Sequence, residues 1–153
     1  MSFQAQGLLC QYLSEDMSGI DLGSLDLPQI EKDLVKIKIS HASLNFPDWL
    51  MSQGKYQRKP ELPFFLGMEG SGTIESVGPD VKELQTGDEV MFGGWGHGAM
   101  ANYIVLPASK ITKKPSALNM AEAAAFATAY TTAYVSLILS LIHISEPTRL
   151  DDI

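Results

Sequence analysis

The chain is poor in residues that staple or ligate. Its 153 residues include one cysteine, Cys10, which excludes an intrachain disulfide and any multi-cysteine metal site. Cys10 sits in the apolar run GLLCQYL, where a small buried hydrophobe is expected rather than a nucleophile. Histidine is scarce too. His41, His97 and His143 do not pair at ligand spacing, whereas a catalytic zinc wants three protein ligands, so no metal is expected. Positive charge is outnumbered: eleven Lys and Arg against eighteen Asp and Glu give −7. That balance argues against a nucleic-acid or anionic-membrane partner, and no basic stripe with interleaved aromatics supports single-strand binding. The opening MSFQAQGLLCQYL lacks the basic start and small-residue cleavage site of a secretory signal, which makes a cytoplasmic location the expectation.

Phosphate-binding fingerprints are missing as well. Gly70-Ser71-Gly72 and Gly94-Trp95-Gly96-His97-Gly98 begin like dinucleotide motifs, but such a motif must open a helix so that backbone N–H groups face a pyrophosphate. Here GSG runs into TIESVG and GWGHG into AMANYIV, so tight turns and close backbone approach in a barrel are expected instead.

What is present reads as short strands followed by one helix. LLCQYL, VKIKIS, GTIESVG, DEVMFG and ANYIVLP are each brief and bounded by Gly, Pro, Asp or Ser, the pattern of a small barrel. Val35, Ile37 and Ile39 alternate with Lys36, Lys38 and Ser40, marking a strand with one wet face. Phe46-Pro47-Asp48-Trp49 predicts a helical turn opened by proline. The strong helix begins at Asn119, an N-cap with Glu122 three residues on, as in a capping box. AEAAAFATAYTTAYVSL then continues it, with Phe126, Tyr130, Ala133 and Leu137 along one face.

The last residues differ in kind. Leu139 to Arg149 read LSLIHISEPTR, the translation of a common transposon-type sequencing adapter. The biological chain is therefore expected to stop near Leu137 or Ile138, with 139–153 an adapter artefact. The apolar run from Met120 to Ile144 is long enough to suggest a membrane span, but Glu122 and six polar side chains interrupt it and its second half comes from the tail. No membrane partner is expected.

One constellation is sharper. Asn45-Phe46-Pro47-Asp48 leads to Gly54-Lys55-Tyr56, then Gly67-Met68-Glu69 opens G-x-E-x-x-G-x-I-x-x-V-G, and Ala123-Ala124-Ala125-Phe126 leads to Ala133-Tyr134. Over roughly residues 6–137 this resembles the N-terminal catalytic domain of the medium-chain dehydrogenase/reductase superfamily, and most nearly its zinc-free quinone oxidoreductase branch. The resemblance implies a mainly β, chaperonin-10-like (GroES-like) partly open barrel with a C-terminal helix leading to an absent Rossmann domain. Residues 1–118 would be the GroES-like catalytic domain and 119–138 the start of a truncated nucleotide-binding domain. Where zinc-dependent members carry a ligand Cys and Gly-His-Glu, this chain has Asn45 and Gly67-Met68-Glu69, and the four-Cys lobe is missing. An amide oxygen and a thioether are poor zinc ligands.

The activity so implied is reduction of a small-molecule quinone or enone by NADPH, hydride passing to the activated double bond. Without a Lewis-acid metal, hydrogen-bond donors must stabilise the charge on the substrate oxygen. Tyr56, through its phenol, and Asn45, through its amide, are the catalytic candidates. Asn45 and Thr131 are the cofactor-binding candidates, since Thr131 matches the helix position that in relatives approaches the nicotinamide amide. Tyr56 capping an apolar patch and Thr131 as an ordinary helix threonine stay open. Asp48 is expected to fix its turn, Glu69 to be a structural acid with backbone partners, Trp49 and Trp95 to pack in a core or line a cleft, and His97 to be a loop residue. The parent would be a homodimer, and the chain as written inactive. An enoyl or acyl-CoA reductase, or a non-enzymatic GroES-like interaction module, are the alternatives. Because the tail adds Leu139, Leu141, Ile142 and Ile144 to an already apolar helix face, association is expected. Ending the chain after Leu137 should raise the soluble, monodisperse fraction in size-exclusion chromatography; equal aggregation of both forms would contradict this.

Overall fold

A computed structural model describes residues 3–94 and 97–139. Trp95 and residues 140–153, His143 among them, lie outside the described residues, so the expectations placed on them are not addressed. Among the described residues, eight strands make two antiparallel sheets that curl around a shared interior. Strands β1 (Phe3–Cys10), β2 (Ile20–Leu27) and β4 (Phe64–Phe65) form one, in the order β2-β1-β4. The other contains β3 (Leu34–Ser43), β5 (Glu69–Val77), β6 (Glu89–Phe92), β7 (Tyr103–Pro107) and β8 (Ile111–Lys113), in the order β7-β3-β5-β6-β8. The seam is a bridge between Gly7 and Ala101, flanked by Leu8 N–H donating to the Met100 carbonyl at 2.9 Å and Asn102 N–H to the Gln6 carbonyl at 2.8 Å. This is the small barrel that the spacing of short strands implies, in the partly open form that the family resemblance implies.

Alternation places the core. Val35 and Ile37 are fully buried while Lys38 and Ser40 face solvent, as the two-residue period requires. They pack with Ile74, Val90, Phe92 and Ile104, each worth about 1.5–3 kcal/mol when taken from water. Cys10 is wholly buried, packed with Met51, Phe64, Leu66 and Met68, which is the small-hydrophobe role expected of it.

Three departures from the sequence pattern have physical causes. First, β1 begins at Phe3 rather than Leu8 and ends at Cys10, because its partner is β2, paired residue for residue from Phe3↔Leu27 to Cys10↔Ile20. Second, β2 itself, IDLGSLDL, escapes the strand signals: its Gly23 and two aspartates are depleted in strands, and Gly23 breaks the alternation, leaving Leu22 77% exposed. Third, the single helix expected from Asn119 is interrupted. Helix α2 (Met120–Ala124) and helix α3 (Phe126–Tyr134) meet at Ala125, whose φ of −100° and ψ of 4° leave the helical region, and a π-helical turn, Val135–Leu139, follows. The capping box does form, with Glu122 N–H donating to Asn119 Oδ1 at 2.9 Å and Asn119 N–H to Glu122 Oε2 at 2.8 Å. Helix α2 packs on β3, β5 and β6 through the buried Ala123 and Ala124, and Ser71 Oγ donates to the Met120 carbonyl at 2.6 Å. The short helix α1 (Phe46–Ser52) carries proline in its first turn, as the sequence predicts. Among the described residues no helix is long and apolar enough to cross a membrane.

The Gly70-Ser71-Gly72 run lies inside β5, paired on one side with β3 and on the other with β6. A Cβ on Gly72 would fall on the Lys38 carbonyl oxygen and 2.7 Å from Ile37 Cγ2. These glycines let two strands approach, and they leave no room for a phosphate. Gly72→Ala is expected to cost about 2–3 kcal/mol through overpacking, whereas Gly87→Ala, with nothing within 4 Å of the new methyl, should cost only the backbone term of about 1 kcal/mol. Urea midpoints of the two variants check the order.

Candidate functional site

Two buried acids organise the region where β3 ends, α1 begins and β5 starts. Asp48, 1% exposed, sits in the first turn of α1 and accepts from Asn45 N–H at 2.8 Å through Oδ2 and from Gly67 N–H at 3.2 Å through Oδ1. It therefore fixes the local turn, as expected, and also ties α1 to the entry of β5. Burial pushes its carboxyl above the ordinary range; the Asn45 and Gly67 amides pull it back, and the nearby Glu69 charge adds to the rise.

Glu69, also 1% exposed, gathers three donors. Ser43 Oγ and Asn45 Nδ2, the latter at 3.0 Å, donate to Oε1. Thr128 N–H, at the third position of α3, donates to Oε2 at 2.7 Å. Early helix amides have no intrahelical partner and carry the positive end of the dipole, so the carboxylate docks α3 onto the barrel. Gly93 permits the close fit, since a Cβ there would meet Ala127 Cβ at 2.6 Å and Glu69 Cβ at 3.1 Å. A structural acid with a backbone partner is what the sequence implies for Glu69; its side-chain partners are new. Ser43 and Thr128 escape sequence reading altogether, because Ser43 meets Glu69 only through a strand register that shifts twice along β3.

The candidate site residues fall as follows. Asn45 caps α1 half-buried, and its Nδ2 also donates to Ser43 Oγ at 3.0 Å. Its amide nitrogen thus faces Ser43 and Glu69, two acceptors close enough together to share one proton. Tyr56 lies just past the other end of α1, a helix about 10 Å long, with its ring half-buried against the Cys10, Met51 and Phe64 cluster. Thr131 is exposed on α3, one turn beyond Thr128, whose own hydroxyl is buried without a hydrogen-bond partner. Glu69 thus connects Asn45 to the helix that bears Thr131, while Tyr56 stands apart.

A cleft of about 470 Å³ opens beside Asn45, walled by Met17, Ile20, Leu44, Phe46 and Trp49. Phe46 and Trp49 pack at 5.3 Å, and Leu44 and Phe46 are 75% and 68% exposed. Its volume is that of a small-molecule site. Trp49 lines this cleft rather than a core. His97 stacks edge-on against Phe64 at 5.2 Å, away from these groups. On α3, Phe126 stacks on Tyr130 at 4.6 Å, and Tyr130 and Leu137 are 63% and 59% exposed, so the face expected to be apolar is also uncovered. Among the described residues no three of His, Cys, Asp and Glu gather at metal-binding spacing.

A partly open antiparallel barrel with a docked terminal helix defines a class, and comparison with known proteins gives the same class. The family model of the alcohol dehydrogenase GroES-like domain matches residues 31–116, and the chain belongs to that family, within the medium-chain dehydrogenase/reductase superfamily. Its relatives include quinone oxidoreductase-like proteins. It is 44% identical over 93 residues to quinone oxidoreductase-like protein 2 homolog of Nematostella vectensis, a match covering 61% of this chain and 26% of that protein. It superposes on a probable oxidoreductase from Mycobacterium abscessus with TM-score 0.80 and 30% identity, covering 88% of this chain and 43% of that one. Against the quinone oxidoreductase of Pseudomonas syringae pv. Tomato DC3000 the values are 0.79 and 26%, covering 88% and 41%. The chain thus spans about a quarter of the length of the curated relative.

Glu69→Gln keeps the shape but sets an NH₂ group against buried donors. The loss of a charge-assisted bond and the uncompensated donor should cost about 2–3 kcal/mol. Urea unfolding reads the total, and amide exchange at Thr128 should accelerate while Ile74 stays protected; unchanged exchange at Thr128 would show that Glu69 does not hold α3.

Proposed function

We propose that this domain is the substrate-facing part of a zinc-free, NADPH-dependent oxidoreductase that reduces a quinone or enone. The observation that carries the reading is the apolar cleft beside Asn45, on a barrel whose relatives include quinone oxidoreductase-like proteins. An apolar wall built from Phe46 and Trp49 suits a flat, weakly polar acceptor, and it excludes water from the reacting carbon. In this reading residues 1–118 form the catalytic domain, and α2 and α3 lead toward a nucleotide-binding domain. An enoyl or acyl-CoA reductase would share this chemistry with a different acceptor.

The fit of the cofactor divides in two. Its phosphates find no cradle among the described residues, because the Gly70–Gly72 backbone is packed against β3. Its nicotinamide end suits the polar groups gathered around Glu69: Asn45, Thr131 and the unpartnered hydroxyl of Thr128. When bound, NADPH supplies the hydride. Tyr56 retains a phenolic donor and stabilises negative charge as it builds on the substrate oxygen. Asn45 orients the ligand, and the apolar cleft holds the acceptor. Zinc is not part of the proposal: Asn45 turns its amide nitrogen to Glu69 and Ser43, and Met68 is buried in an apolar cluster, while amide oxygens and thioethers bind zinc poorly.

The test is NADPH consumption by the protein with its native continuation past residue 138. Turnover with simple benzoquinones or enones should survive a chelator, and Tyr56→Phe should lower kcat by roughly 10–100-fold with little change in NADPH affinity. The 153-residue chain should show no micromolar NADPH binding. Failure to consume NADPH with either acceptor class, or loss of turnover on chelation, would overturn the reading.

A further inference from the structure

One lining residue of the cleft lies outside every motif. Met17, in the loop 11–19 between β1 and β2, borders it together with Ile20, Leu44, Phe46, Trp49 and Leu66. Its φ is +61°, a left-handed backbone that suits glycine or asparagine and strains a longer side chain. The loop enforces that conformation. Gln11 N–H donates to the Gly19 carbonyl at 2.8 Å, and Ile20 N–H to the Met17 carbonyl at 3.0 Å. Asp16 Oδ1 accepts from Ser18 N–H and Oγ at 3.0 and 2.7 Å, and Gly19 N–H donates to Ser14 Oγ at 3.0 Å. The loop is in turn fastened to the end of α1: Ser14 N–H donates to the Ser52 carbonyl at 3.1 Å, and Lys55 pairs with Glu15 at 2.7 Å. Glycine would serve a turn that needed only this backbone. The methionine side chain is 47% exposed, so burial in the core does not offset the strain.

The cleft offers a ligand apolar contact and little else. Asp48 is engaged by the Asn45 and Gly67 amides, and Ser52 Oγ donates to the Trp49 carbonyl at 2.8 Å. The volume of about 470 Å³ is roughly three times the ~150 Å³ that accommodates benzene. We infer that Met17 is the specificity-determining residue of this cleft: the strained loop holds its thioether against the apolar part of the acceptor, so that a fused-ring or alkyl-bearing acceptor is preferred to a bare ring. A thioether is flexible and polarisable and packs favourably on aromatic rings. The inference rests on the acceptor reading above for what occupies the cleft; the strain and the exposure of Met17 stand without it.

The test compares Met17→Gly, which frees the backbone and removes the contact, with Met17→Leu, which keeps an apolar side chain. In the chain itself, binding of the naphthoquinone menadione is followed by the Trp49 indole signal in NMR. It should be roughly tenfold weaker in Met17→Gly and within about threefold of the original in Met17→Leu. The urea midpoint of Met17→Gly should not fall, because relief of strain offsets the lost side chain. In the protein with its native continuation, kcat/KM should favour menadione over benzoquinone by roughly tenfold, and Met17→Gly should bring the two within about threefold. No menadione binding at Trp49, unchanged affinity in Met17→Gly, or a midpoint that falls in step with affinity would overturn the inference. Menadione held at Trp49 and weakened by Met17→Gly, with no NADPH consumption by the longer protein, would sink the reductase reading and keep Met17 as the residue that sets what the cleft holds.

Discussion

The carboxylate of Glu69 is the contact on which the rest of the site depends. It is buried at the start of β5 and has no cationic partner among its hydrogen bonds; neutral donors from three directions hold it. A buried charge is tolerated only when hydrogen bonds replace its lost hydration, so Ser43, Asn45 and Thr128 are each constrained by the need to satisfy it. Through them one side chain aligns the end of β3, the head of α1 and the first turn of α3. The Ala125 break follows from the same demand. An uninterrupted helix from Asn119 would spend the Thr128 N–H on an internal bond; the break makes that amide an early-turn donor that the carboxylate accepts.

Asp48 performs the complementary task on the other side of α1. Its two oxygens join the helix head to Gly67, so Gly67-Met68-Glu69 is anchored both at its first residue and at its last. Asn45 stands between the two acids, its main-chain amide bound by Asp48 and its side-chain amide by Glu69. The result is a preorganised edge beside an apolar cleft. Rigidity here comes from hydrogen bonds; the apolar cores lie to either side.

Much of the scaffold is legible in one dimension because its signals are local. The Val35–Ser40 alternation, the proline turn at Phe46 and the Asn119–Glu122 capping box each lie within a few residues, and each appears where the pattern puts it. Elements that depend on a distant partner are less visible. The strand β2 exists because β1 pairs with it along its whole length, in spite of Gly23 and exposed Leu22. The helix break at Ala125 has no proline or glycine to announce it; its cause lies 56 residues earlier, at Glu69.

The same division holds for the site. Residue types and spacing alone determined that the chain is a small barrel with a terminal helix and that multi-cysteine metal chemistry is out; that Asn45, Asp48, Tyr56 and Glu69 belong to one pattern is what the family resemblance implies. Hydrogen-bond direction was decided only by tertiary structure. An asparagine is donor and acceptor in equal measure until its neighbours are known, and the pairing of β3 with β5 sets Ser43 and Glu69 against the amide nitrogen of Asn45. Sequence names the group, while the fold, by committing some of its atoms, decides which atoms remain to act.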